Sequence, residues 1–169
     1  MRNWLVIYFF NELKEISPFF YCTTSVPKPH SIFDNYTLKI TPNHGLSWIK
    51  AIGKTVQTSA YGGELRSVFD LMLNKLANSY GKHESTDLLR HGSIWDEPRD
   101  WMQSLIAKER IMYALWNKEQ CSNLRDSLVS LFLGVNALST SEGFILLEYS
   151  FENEKMATDE IDALEDDAL

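Results

Sequence analysis

Tyr36-Thr37-Leu38-Lys39-Ile40-Thr41-Pro42-Asn43-His44-Gly45 is the stretch on which the fold class turns. Tyr36, Leu38 and Ile40 alternate with Thr37, Lys39 and Thr41, the period-two pattern of a strand with one face buried. Pro42 to Gly45 carries turn chemistry, and an apolar-rich run resumes from Leu46 to Val56. Two extended runs joined by a short turn make a β-hairpin. Immediately downstream Tyr61-Gly62-Gly63 breaks the extended pattern. From Glu64 the apolar residues Leu65, Val68, Phe69, Met72, Leu76 and Tyr80 fall three or four apart, with Gly81 in the position of a C-terminal glycine cap. That spacing predicts a helix. Upstream, Val26-Pro27-Lys28-Pro29-His30 reads as an extended linker and Phe19 to Thr24 as a short strand rich in aromatic and β-branched residues. Phe10, Leu13 and Ile16 have helical spacing and predict a short amphipathic helix that Pro18 stops.

In the second half, residues 82–95 read as irregular, with at most a helical turn at Thr86 to Arg90. Asp96-Glu97-Pro98 then supplies an acidic cap and a first-turn proline for a helix carrying Trp101, Leu105 and Ile106 and ending near Lys108. Ile111 to Trp116, Leu128 to Leu138 and Phe144 to Phe151 are apolar runs joined by polar loops, and they predict a β-meander. Leu128 to Leu138 is apolar on both alternating sets for much of its length, as expected of a central strand, although periodicity alone leaves a helix open there. The expected fold is therefore α+β: an antiparallel sheet of about five or six strands with helices packed on one face, in two layers. Residues 1–153 would form one domain and residues 154–169 an acidic, marginally helical tail.

The chain has 169 residues, 44% of them hydrophobic and 12% aromatic, enough for one domain with a real core. Its net charge of -7 argues against a nucleic-acid binder, whose footprint is a basic face. Residues 152–169 hold eight acids against Lys155 alone, so the charge belongs to the tail, and residues 1–151 are neutral. A phosphate-mimicking surface is disfavoured by the same arithmetic. The tail's last acids oppose the macrodipole at the helix C-terminus, so fraying after Leu164 and a fold independent of the tail are expected. The longest apolar run, Trp4 to Phe10, falls short of the ~20 residues of a membrane span. No membrane partner is expected. Asn11-Glu12-Leu13 follows that run in place of a small-residue cleavage site, which favours a cytoplasmic location over export.

Chemical motifs are sparse. Trp48-Ile49-Lys50-Ala51-Ile52-Gly53-Lys54-Thr55 ends like a phosphate-binding loop but lacks its first glycine and a following helix. His83, Asp87 and His91 stand at i, i+4 and i+8, which a helix would align as metal ligands; Gly81 and Gly92 bracket the segment and make that helix doubtful. Gly45-Leu46-Ser47-Trp48-Ile49 lacks the second glycine of a nucleophile elbow. Cys22 and Cys121 have no C-x-x-C context, and neither has surroundings that would depress a thiol pKa. Neither a metal nor another cofactor is implied. The densest group of aromatic and charged residues runs from Gly92 to Met102. There Trp95, Asp96, Arg99 and Trp101 form a candidate binding surface, two indoles for stacking with hydrogen-bonding charges between them. In the competing reading Trp95 anchors a loop and Trp101 is the core face of the helix.

Several strings together resemble an uncharacterised family of small bacterial proteins, many of which open with an export signal. They are Pro27-Lys28-Pro29-His30, Gly45-Leu46 with Trp48 to Lys54, Tyr61-Gly62 with Glu64-Leu65, Tyr80-Gly81-Lys82, Gly92 to Pro98, Trp101-Met102, Lys108-Glu109-Arg110 and Tyr149-Ser150-Phe151. The resemblance covers roughly residues 25–153 and implies no activity, so it assigns no residue a role. Since no catalytic constellation stands out, the expected function is a non-enzymatic binding or protein-interaction module with another protein as partner. The alternative is a small hydrolase assembled across the sheet, which requires a pocket with at least two convergent ionisable groups.

Overall fold

The computed structural model describes residues 12–119 and 123–166, with Glu165 as backbone only. The readings of Met1 to Asn11 and of Cys121 lie outside the described residues. The hairpin forms as its alternation predicts, from β3 (Phe33–Thr41) and β4 (Gly45–Gly53), with Tyr36 opposite Ala51 and Leu38 opposite Ile49. The meander of β7 (Arg110–Asn117), β8 (Leu128–Ser139) and β9 (Glu142–Phe151) follows its sequence pattern too, and β9 pairs with β4 to join hairpin and meander in one antiparallel sheet. Tyr36, Ala51, Leu147, Leu133 and Ala114 stand opposite one another across five strands, and all are buried. Their row lies at the centre of the core.

Among the described residues the sheet has nine strands rather than five or six. Three strands that the sequence pattern does not reveal make the difference. β1 (Lys14–Ser17) takes the place of the end of the expected amphipathic helix and pairs with β2 (Phe20–Thr23) through a tight turn at Pro18 and Phe19. Phe19 adopts a φ of 67°, the left-handed corner that follows a proline in such turns. β6 (Glu84–Leu89) replaces the expected irregular segment and helical turn, pairing along its whole length with β7. β5 (Val56–Gln57) continues the β4 side of β9 after a two-residue break. Among the described residues β1 and β6 end the strand order, β1-β2-β3-β4-β9-β8-β7-β6. An edge strand buries little, so Lys-Glu-Ile-Ser and Glu-Ser-Thr-Asp-Leu-Leu carry no apolar alternation and are held by ladder hydrogen bonds.

Helix α1 (Gly63–Tyr80) buries Leu65, Phe69, Met72 and Leu76, the stripe expected from the sequence, and packs on β5, β8 and β9. Gly81 stops it, with φ 81° and its N–H donating to Ala77 O at 2.8 Å. A 3-10 turn at Pro98–Asp100 leads into α2 (Trp101–Ile106), which packs on β7 and β8. α1 and α2 thus cover the face that carries Ala51, Leu147 and Leu133. Helix α3 (Glu154–Asp166) lies at the β3–β4 turn end instead. There Glu154 pairs with Lys39 at 3.4 Å, Glu160 Oε1 accepts from Asn43 Nδ2 at 2.8 Å, and Ala157 is fully buried. Lys39 alternates with Leu38 and points to the opposite face, so the helices do not all share one side of the sheet. Alternation along β3 separates the two packing sites, and the long apolar stripe of α1 already occupies the core face.

Candidate functional site

The segment from Val26 to Ile32 crosses the core face as a strap between β2 and β3, with Val26 and Ile32 packed against the core. Pro27 and Pro29 fix φ on either side of Lys28, so this short stretch is stiff without belonging to the sheet. Ile32 O accepts from Lys54 N at 2.8 Å, and His30 O accepts from Phe33 N at 3.0 Å. Strap, hairpin, β9 and α1 line a half-open cavity of about 270 Å³. Its floor is apolar: Phe33, Ile49, Ala51, Met72, Leu76 and Leu147. Lys28, His30 and Lys75 line it with positive or protonatable groups, and Tyr36, Ser79, Tyr80 and Tyr149 bring hydroxyls. Among the described residues that line it there is no carboxylate.

The polar groups are tuned by this setting. Lys75 Nζ lies 3.4 Å from His30 Nε2, while His30 Nδ1 faces the Ile32 N–H at 3.3 Å. Desolvation, with Lys75 adding repulsion, pushes the His30 pKa below its ordinary 6.5. Burial, reinforced by Tyr80 and Tyr36, holds the Tyr149 phenol well above the usual tyrosine range, and burial likewise raises Tyr36. Around neutral pH the phenols are therefore uncharged and able to donate. Ser79 Oγ donates back along α1 to Lys75 O at 3.1 Å.

Trp95, Asp96, Arg99 and Trp101 lie elsewhere. Trp101 is 4% exposed, with Arg66 over its ring at 5.5 Å and the Gly62 backbone against its edge. Trp95 is half-buried, its backbone N–H donating to Ser93 Oγ at 3.1 Å; Asp96 is exposed, and Arg99 pairs with Glu97 at 2.8 Å in solvent. Trp101 thus gives its face to the core and does not offer it to a ligand alongside Trp95. Asp87 sits on a strand, where residues four apart are separated by ~13 Å, too far to share a metal with His83 or His91. It binds Arg110 Nη1 at 2.5 Å, and Trp101 Nε1 approaches it at 3.5 Å. His83 lies against Trp116, the rings tilted by 36° with centroids 4.8 Å apart. Gly53, where the phosphate-loop-like string ends, leaves β4 close to β9: a Cβ there would stand 2.7 Å from Ile145 O. Cys22 is a half-buried free thiol on β2.

Among the described residues no three metal-ligating side chains converge, and no helix is long and apolar enough to cross a membrane. The strap cavity draws on residues scattered from Lys28 to Tyr149. Pro27-Lys28-Pro29-His30 was its only local trace in sequence, and that string by itself reads as a linker. No protein-family model matches the chain, nor does any curated protein or solved structure.

Proposed function

We propose that the protein is a non-enzymatic binding module and that its ligand seat is the cavity beneath the Val26–Ile32 strap. One observation carries this reading: an apolar floor in a half-open cavity is rimmed by the Lys75–His30 contact and by neutral phenols. Apolar walls with a few convergent polar groups are the usual make-up of small-ligand sites. A screen of small molecules read by methyl shifts of Ala51, Met72, Leu76 and Leu147 tests it. Saturable shifts confined to those residues are expected, and a screen that yields none overturns the reading.

A hydrolase is the second reading, because His30 and Lys75 are two convergent ionisable groups. It is less well supported. The cavity's one aliphatic hydroxyl, Ser79, is turned back to the helix backbone, and no lining carboxylate orients His30. Hydrolysis of an activated ester that disappears in His30→Gln would promote it over the binding module.

A further inference from the structure

We propose that the strap cavity takes a small monocarboxylate with an apolar body, the carboxylate at Lys75 and His30 and the body on Phe33, Met72, Leu76 and Leu147. This rests on the cavity being a ligand seat and adds the chemical class of what it holds.

Charge complementarity is the first argument. Lys28 and Lys75 both line the cavity, and neither has a carboxylate within ion-pair distance among the described residues. Lys75 is instead set against an imidazole at 3.4 Å. Both ring nitrogens of His30 face donors, Lys75 Nζ on one side and the Ile32 N–H on the other. A neutral imidazole can accept only one of them, so the contact is frustrated as it stands. An anion between Lys75 and Nε2 resolves it. With Nδ1 accepting from Ile32, the proton sits on Nε2, and both Nε2–H and the ammonium can then donate to one carboxylate.

Size and the surrounding field narrow the class further. About 270 Å³ is just below the ~300–1,000 Å³ of typical ligand pockets, so the occupant is compact. The floor is hydrocarbon, and burying a matching apolar body is favourable by ~25 cal/mol per Å². The last turn of α1 brings Ser79 and Tyr80 to the same cavity. Lys75 is the one lysine in contact with His30, and a single ammonium there matches a single negative charge. The hydroxyls of Tyr36, Tyr80 and Tyr149 line the same cavity and can donate to the second carboxylate oxygen.

The test uses the full chain at pH 7 and isothermal titration with 3-phenylpropanoate, 3-phenylpropanamide and phenyl phosphate. The carboxylate is expected to bind about tenfold or more tighter than the amide, equivalent to ~1.4 kcal/mol, and tighter than phenyl phosphate. Lys75→Met keeps the length of an exposed side chain and should bring the carboxylate-to-amide ratio toward one, with an unchanged thermal melt. An amide that binds as tightly as the carboxylate overturns the charge assignment but leaves the ligand seat standing. Phenyl phosphate binding tightest overturns the monocarboxylate in favour of a dianion. If none of the three binds and the methyl screen is also blank, the ligand seat itself has failed. A preserved ratio in Lys75→Met would show that this lysine does not hold the charge.

Discussion

Lys75 Nζ and His30 Nε2, from the middle of a helix and from a proline-flanked strap, meet at 3.4 Å over an apolar floor without a carboxylate. Two groups that both favour a positive or donating state are held together only because the fold fixes their backbones. Lys75 is anchored by α1, whose buried stripe of Met72 and Leu76 fixes the rotation of the helix. His30 is anchored by the turn to Phe33 and by the edge contact of its ring with the Phe33 ring.

This arrangement sets a pH dependence. The folded state lowers the His30 pKa below 6.5, so the unfolded chain takes up that proton more readily. Stability from neutral His30 is complete above about pH 6.5 and is lost as pH falls through the lower folded value. The difference in melting temperature between wild type and His30→Gln should therefore change across that acid window and stay flat above it. A His30 titration midpoint at or above 6.5 by NMR would contradict this.

Tyr149 sets the alkaline limit by the opposite sign. Its folded pKa is raised, so its contribution is complete below the ordinary value of 10.0 and is lost as pH rises beyond it. Absorbance titration of phenolate should show one tyrosine ionising only together with unfolding. Tyr149→Phe should remove that late phase and leave the earlier ones.

Gly62 precedes α1 with φ 68°, and a Cβ on it would stand 2.0 Å from Trp101 Cε3. Gly62→Ala combines a left-handed non-glycine residue with a clash against a buried indole. A loss of about 2–4 kcal/mol in urea unfolding is expected. Trp101→Ala should cost a similar ~3–5 kcal/mol through the cavity it leaves. Arg99→Ala, which breaks only an exposed pair with Glu97, should stay within about 0.5 kcal/mol.

Ala157 is the fully buried contact of α3, flanked by the Lys39–Glu154 and Asn43–Glu160 bonds. Ala157→Asp places a charge in that seam and should lower stability by about 2–4 kcal/mol. Truncation after residue 153 should lower the melting temperature as well, whereas truncation after residue 164 should not. A melt unaffected by either change would mean that the helix adds nothing to the fold.

The sequence by itself determined the elements whose pattern is local and amphipathic. Tyr36, Leu38 and Ile40 on β3, the Leu65 to Leu76 stripe of α1 and the apolar runs of β7, β8 and β9 each bury one face, and burial leaves a period in the residues. Where nothing is buried no period forms. β1 and β6 are edge strands with mostly exposed side chains, and their neighbours β2 and β7 make them strands by hydrogen bonding. The sequence allowed Trp101 either as a partner of Trp95 on a binding surface or as the core face of its helix; its burial beneath Arg66 and against Gly62 decides for the core. The strap cavity was legible least of all, since His30 and Lys75 are 45 residues apart and share no local pattern. Their meeting depends on the register of β3 with β4 and on the rotation of α1 over the sheet, both of which are set by long-range packing.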